Sequence, residues 1–151
     1  MSTVLVRQAA LADLPQVAPL FDLYRQFQGE PSDPEAGDRF LRARLDHGET
    51  VLFLATLDDR PLGMAQLYPI YSSVSLRRVF ILNDLFVHAD GRRRGVAAAL
   101  LDALEAYAWS MGASSLRLNV ARDNLQAQAV YDARHWQRDD HYFMYQRFAS
   151  R

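Results

Sequence analysis

The sequence predicts a mixed α/β domain, and three observations carry that prediction. An apolar run, Val79-Phe80-Ile81-Leu82-Asn83-Asp84-Leu85-Phe86-Val87, passes through a polar, glycine-bearing turn into the alanine-rich segment 96–107. The run is β-branched and aromatic enough for a buried strand and too short for a membrane span, whereas the segment after it has the composition of a helix. Two further apolar runs, 51–57 and 62–71, are separated by Asp58-Asp59-Arg60-Pro61, which has hairpin chemistry and makes them antiparallel neighbours. Ahead of them, residues 13–47 read as two amphipathic helices, each with proline near its start.

Length and composition bound the answer. With 151 residues, 50% of them hydrophobic, the chain suffices for a single domain, residues 1–151, with a full core. It shows no charged-then-apolar leader and no apolar run near the roughly 20 residues of a membrane span, so a cytoplasmic protein without a membrane partner is expected. The absence of cysteine excludes disulfides, thiolate metal sites and a cysteine nucleophile, and no metal site is expected. A net charge of −1 exerts no pull toward nucleic acid, so no nucleic-acid partner is expected. All 17 basic residues are arginine, which leaves no lysine side chain for self-acetylation.

Taken in order, Thr3-Val4-Leu5-Val6-Arg7 forms a first strand, and Asp13 caps a helix whose apolar face is Leu14, Val17, Phe21 and Tyr24. Residues 26–32 break the pattern, and Asp33-Pro34 opens a second helix running to about His47. Pro69 would interrupt a ladder, so the end of the third strand falls at an edge or a bulge; Tyr68 and Tyr71 beside it read as packing aromatics. The run ending at Val87 is expected as the central strand. In the following helix Val96, Leu100, Leu104, Tyr107 and Met111 share one stripe, with Gly112 as the stop. A strand at 115–120, a helix opened by Asn124, and a last strand at 141–148, reached by a hairpin from Trp136, complete the expected order.

Strand, glycine turn and helix have a chemical consequence. The first turn of a helix leaves backbone N–H groups unpaired and carries the positive end of the macrodipole, which suits phosphate. In Arg92-Arg93-Arg94-Gly95-Val96-Ala97, Gly95 lets the backbone approach an anion, Ala97 keeps the helix entrance small, and the arginines add forked donors.

That hexapeptide matches the pattern Gln/Arg-x-x-Gly-x-Gly/Ala between a strand and a helix. Downstream, Asn124-Leu125-Gln126-Ala127-Gln128-Ala129-Val130-Tyr131 matches Asn-x-x-Ala-x-x-x-Tyr. In both motifs and their order the chain resembles the GCN5-related N-acetyltransferases, the GNAT enzymes, over nearly its whole length. Leu82-Asn83-Asp84-Leu85-Phe86-Val87 looks most like the diamine acetyltransferase and Hpa2-like branches. The resemblance implies a GNAT fold of the α+β kind: a mixed, mostly antiparallel sheet of about six to seven strands with flanking helices and a splayed parallel pair at the cofactor site. It also implies direct transfer of an acetyl group from acetyl-CoA to an amine in a ternary complex.

By the motif match, the N–H of Leu85 faces the acetyl oxygen, Phe86 and Val87 belong to the strand that pairs with the pantetheine arm, and Arg92, Arg93, Arg94, Gly95, Val96 and Ala97 hold the pyrophosphate. Tyr131 matches the acid that protonates the departing thiolate, and Asn124 both caps its helix and contacts the cofactor. Tyr24, Arg25 and Gln26 stand where the family's acceptor loop lies. After Tyr131 the family commonly has a glycine before an aromatic residue, where this chain has His135 before Trp136; that implies either less need for positive φ or mild strain.

The base is open among three candidates. Diamine acetyltransferases have a glutamate where this chain has Asn83, whose amide cannot take a proton. Asp84 is next, but adjacent strand residues face opposite sides, so both reach one site only through a bulge. His88 and a water chain are the others. Near the expected mouth only Asp84, Asp22 and Glu30 offer carboxylates, which weakens the polyamine reading. The acceptor is thus left open among a small primary amine, an amino acid derivative and the lysine or N-terminus of another protein. A non-catalytic acyl-CoA binding module is the alternative reading, and the aromatic C-terminal segment equally suits a homodimer surface. A nucleotide-binding protein of another kind has no motif here, since neither Gly-x-x-x-x-Gly-Lys-Ser/Thr nor Gly-x-Gly-x-x-Gly after a strand occurs.

Overall fold

The computed structural model describes residues 3–150. The chain divides into two compact units, one ending at Leu118 and the other beginning at Asn119. The first contains β1 (Val4–Ala9), α1 (Leu14–Phe27), α2 (Pro34–Asp46), β2 (Val51–Leu57), β3 (Arg60–Ser72), β4 (Arg77–Val87), α3 (Val96–Ser110) and β5 (Ser115–Arg117), with short 3-10 turns at Leu11–Asp13 and Ala89–Gly91. The strands lie in the order β1-β2-β3-β4-β5, antiparallel except for the parallel pair β4 and β5. This is the mixed, mostly antiparallel sheet with flanking helices that the sequence predicts. It has five strands among the described residues rather than six or seven. Its centre is β3 and not β4, because spatial order follows chain order and only β5 lies beyond β4.

Each face of the sheet is covered by different helices. On one, Leu52, Leu54 and Met64 pack with Leu14, Val17, Leu20 and Phe21 of α1 and Leu41 of α2. On the other, the rings of Phe53 and Phe80 meet Tyr107 of α3 at 5.7 and 5.6 Å. The alternation of residues 52, 53 and 54 between the faces is the two-residue period of a strand. Leu14, Leu41, Leu52, Leu54 and Leu100 are fully buried, each contributing roughly 1.5–3 kcal/mol. At Gly63 α3 lies close against the sheet, since a Cβ there would lie 2.6 Å from Val96 Cγ1.

The helix ends follow the sequence with two exceptions. Asp33 caps α2 by accepting from the Ala36 N–H at 3.1 Å, and Gly112, at φ +77°, stops α3. Asp13 stands at the cap position of α1 but makes no cap bond there. Its carboxylate accepts instead from both Arg7 nitrogens, at 2.8 and 2.6 Å, and from the Ala10 N–H at 2.8 Å, because a guanidinium fork is the stronger partner. The buried stripe of α3 runs through Val96, Leu100, Leu104 and Ala108, and Met111, which follows the last residue of the helix, is exposed. Pro69 pairs with Phe80 beyond the last partner that β2 offers to β3, so its missing N–H leaves no gap in that neighbour's ladder.

The second unit holds α4 (Leu125–Ala133), opened by Asn124, whose Oδ1 accepts from the Ala127 N–H at 3.1 Å. The expected strand at 115–120 is shortened to Ser115–Arg117, and the expected last strand at 141–148 does not form. Tyr142-Phe143-Met144-Tyr145 has no alternation to give it one apolar face, and no neighbouring strand takes its backbone groups; these side chains are exposed. His135 adopts φ +68°, so the left-handed conformation persists without the glycine, which decides for strain. Among the described residues no helix is long and apolar enough to cross a membrane.

Candidate active site

The decisive local feature is a bulge in β4. Gln66 pairs with Asp84 but Leu67 pairs with Leu82, so Asn83 is an extra residue with no counterpart on β3. Were Asn83 taken into the ladder as an ordinary residue, Asp84 would share the face of Phe80 and Leu82 and point toward α3. The extra residue reverses the alternation, and Phe86, two residues on from Asp84, meets Tyr24 of α1 with ring centroids 6.3 Å apart. The sequence expectation that only a bulge could bring Asn83 and Asp84 together is met: Asn83 Nδ2 donates to Asp84 Oδ1 at 3.2 Å.

Asp84 is buried, at 6% exposure, and among the described residues its carboxylate oxygens accept from amide donors and are in no ion pair. Gln66 Nε2 donates to Oδ2 at 2.6 Å, and the Gln66 carbonyl accepts from the Thr50 hydroxyl at 2.7 Å. Burying an unpaired amide costs roughly 1–3 kcal/mol, so Gln66 is tolerated at full burial because both its ends are bonded. The Tyr24 hydroxyl also lies within reach of Asp84; burial first and then this carboxylate push the phenol far above its ordinary range. Tyr68 sits on the same face of β3 as Gln66, and burial followed by the Asp84 charge pushes it up to about 12. Both phenols are therefore protonated donors at neutral pH.

A second feature lies on the outer edge of β4. Its pairing with β5 covers only Val79, Phe80 and Ile81, so from Leu82 to Val87 no strand flanks that edge among the described residues. This is the splay that an extended chain could fill as an added half-strand. Past Val87, the Leu62 carbonyl accepts from the His88 N–H at 2.8 Å, and Arg60 pairs with Asp90, holding the following turn to the β2–β3 hairpin. Arg93 and Gly95 both take positive φ, +61° and +82°, and no side chain caps α3. The Gly95 carbonyl accepts from Ala99, leaving the N–H groups of Val96, Ala97 and Ala98 at the open end of α3. Nothing stands within 4 Å of where a Gly95 side chain would be. Arg92, Arg93 and Arg94 are exposed around this entrance, with Arg94 donating to the Asp90 carbonyl at 3.4 Å.

In the second unit, burial raises the Tyr131 phenol above its ordinary value, and its ring packs on Trp136 at 5.4 Å. Gln26 does not stand free: its amide donates to Asp22, which also accepts from Ser32 Oγ and the Asp33 N–H, all within 2.9 Å. Burial opposes the Asp22 charge, but these donors outweigh it and hold the carboxyl below its usual range. Asp22 thus staples the end of α1 to the start of α2. His88 accepts from the Asp90 N–H through Nδ1 at 3.0 Å. Arg25 lines a hollow of about 360 Å³ with Phe21, Ala36, Gly37 and Phe40. Glu30 is exposed. Gln66 and Thr50 escape sequence reasoning; a lone amide within a run of buried residues was the one available signal.

The description of the Acetyltransferase (GNAT) family matches residues 17–136 of this chain. An uncharacterized N-acetyltransferase of Bacillus subtilis (strain 168), YhfO, is 39% identical over 140 residues, covering 93% of this chain and 94% of that one. The crystal structure of a probable acetyltransferase superposes with a TM-score of 0.91 at 41% identity, over 97% of this chain and 99% of the other. That of a ribosomal-protein-alanine N-acetyltransferase from Brucella melitensis biovar Abortus 2308 gives 0.80 at 25% identity, over 97% and 100%. These likenesses fall on one class, the enzymes of acetyl transfer. The chain belongs to the acetyltransferase (GNAT) family.

Proposed function

We propose that this enzyme carries an acetyl group from acetyl-CoA to a primary amine by direct transfer, with Asp84 taking the proton from the incoming ammonium. The observation that carries this reading is the bulge at Asn83, which turns Asp84 toward α1 among neutral hydroxyl and amide donors. A buried carboxylate without a partnering cation attracts an ammonium and accepts its proton. His88 is the weaker candidate, since its Nδ1 already accepts from the backbone.

The residues present suit the donor. The free edge of β4 at Leu85, Phe86 and Val87 offers backbone groups to an extended amide arm, and the open end of α3, with Arg92, Arg93 and Arg94 around it, offers N–H groups and charge to a pyrophosphate. When bound, acetyl-CoA supplies an activated acyl group on a thiolate that can leave. The N–H of Leu85 is assigned to the negative charge that develops on the carbonyl oxygen. Tyr131, held protonated by burial, is assigned to deliver a proton to the sulfur, and Asn124 to hold the helix that bears it. The family match spans both compact units, which supports reading residues 1–151 as one working domain.

The acceptor presents one ammonium rather than several. Asp84 is the one carboxylate in this cluster, and both oxygens of Asp22 are committed to the α1–α2 staple. Tyr24 and Tyr68 then flank the amine, while Arg25 and Asn83 border it more loosely.

The test is release of CoA thiol from acetyl-CoA, read with a thiol reagent against polyamines, amino acids, aminoglycosides and basic peptides. The protein has no cysteine and adds no background. Release with a monoamine class is expected. Acetyl-CoA binding without release for any amine would overturn the reading.

A further inference from the structure

Gln66 is the one polar residue in the buried stretch of β3 from Leu62 to Leu67, and it has no exposure at all. Leucine or methionine would fill that space with better packing. What the amide provides is direction: its nitrogen end meets Asp84 Oδ2 at 2.6 Å and its oxygen end meets the Thr50 hydroxyl at 2.7 Å. The ends of an amide differ little in shape and oppositely in hydrogen-bonding sense. A hydroxyl hydrogen aimed at the carbonyl end keeps that end away from Asp84 and leaves the donor end facing the carboxylate. The Leu67 carbonyl, at 3.3 Å, is the more distant of the two acceptors available to Thr50.

The relay runs from the residue before β2 across β3 to β4. Thr50 precedes β2, Gln66 lies on β3 directly opposite Asp84, and Asp84 follows the bulge on β4. A bulged strand is a loose place to hold a base, because the ladder that would fix its direction is interrupted there. The bond to Gln66 replaces that missing constraint. It occupies Oδ2 from the sheet side, and Oδ1 is approached by the Asn83 amide at a longer 3.2 Å.

We propose that Gln66, oriented by Thr50, is a positioning residue that sets which oxygen of Asp84 is presented to the amine. This rests on the reading of Asp84 as the base. Gln66 and Thr50 touch neither acceptor nor donor; they act through Asp84.

The experiment measures kcat, using the amine that gives the fastest thiol release, together with the acetyl-CoA dissociation constant and the thermal midpoint. The variants are Asp84→Asn, Gln66→Leu, Thr50→Val and Thr50→Ser. Asp84→Asn is expected to lower kcat about a hundredfold or more, and Gln66→Leu and Thr50→Val about tenfold each, with acetyl-CoA binding within about twofold of the parent. Thr50→Ser, which keeps the hydroxyl, recovers most of the loss. In an Asp84→Asn background Thr50→Val has no further effect, whereas a merely structural loss would persist there. If Gln66→Leu does not fold, the Thr50 pair decides alone. Parental kcat in Thr50→Val alongside an inactive Asp84→Asn sinks the positioning role and leaves the base standing. An active Asp84→Asn, or no release with any amine, removes both.

Discussion

Gln66 and Asp84 stand directly opposite each other on β3 and β4 because Asn83, one residue earlier, has no counterpart on β3. The consequence is a change of face: Phe80 packs toward α3 and Phe86 toward α1, although six residues separate them and uninterrupted alternation would place both on one side. The bulge thus absorbs one residue of the count and keeps the carboxylate on the side of α1.

Deleting Asn83 is therefore expected to be tolerated. Asp84 then follows Leu82 directly, still opposite Gln66 and still on the face toward α1, because Asn83 is the residue that the β3 ladder leaves out. We expect a destabilisation of about 1–3 kcal/mol with the fold retained, against less than about 1 kcal/mol for Asn83→Ala, whose side chain is exposed. Urea unfolding of the two variants side by side checks this, and a deletion that fails to fold would contradict the assignment of Asn83 as the extra residue.

Two glycines fail for different reasons when given a side chain. At Gly63 a Cβ would lie 2.6 Å from Val96 Cγ1 and 3.1 Å from Leu100 Cδ1, so Gly63→Ala wedges α3 off the sheet at a cost of about 1–3 kcal/mol. At Gly95 there is open space and only φ +82° to oppose the change, so Gly95→Ala costs about 1 kcal/mol in stability. Its larger effect is on acetyl-CoA affinity, since the methyl group sits at the open end of α3. Calorimetric titration with CoA is expected to show the greater loss for Gly95→Ala, with the stability order reversed.

Tyr131→Phe removes one oxygen and leaves the ring on Trp136. If the phenol delivers the proton to the leaving sulfur, kcat falls about a hundredfold while acetyl-CoA still binds. Loss of binding with unchanged kcat would assign the hydroxyl to holding the donor instead.

The fold was legible wherever local signals agreed: the two proline-led helices, the Asp58-Asp59 hairpin, both ends of α3 and the cap at Asn124. The existence of a bulge followed from asking how Asn83 and Asp84 could share a site, but its effect on Phe86 needed the register. Gln66 was invisible, because one amide within an apolar run has no period and its partners lie 16 and 18 residues away. Asp13 was read for the wrong partner, since a side chain chooses among neighbours that the fold supplies. Residues 141–148 were read as a strand from a partial alternation; a strand also requires a neighbour for its backbone, which a local pattern does not show.

His135 offers a test of stored strain. It takes φ +68° where glycine would do so freely, and the left-handed conformation costs a residue with a side chain about 1–2 kcal/mol. Glycine returns about 0.5–1 kcal/mol of that through its freer unfolded chain. His135→Gly is thus expected to stabilise the protein by about 0.5–1 kcal/mol, seen as a higher urea midpoint with an unchanged slope. A destabilised variant would mean that the imidazole makes a contact worth more than the strain.

The last expectation concerns acid. The side-chain bonds from Arg7, followed by the Ala10 N–H, hold the Asp13 carboxyl at about 2, well below the ordinary carboxylate range. A carboxyl depressed in the folded state binds its proton more readily when unfolded, so the stability it contributes is complete above the unfolded value. It is lost as pH falls through that value toward about 2. Arg7 is 56% exposed at its side chain, so solvent screens much of this and the effect is small. Between pH 6 and pH 3 the thermal midpoint of Asp13→Asn should therefore fall about 1–3 °C less than that of the parent. Parallel curves would show that the pair is geometry without linkage.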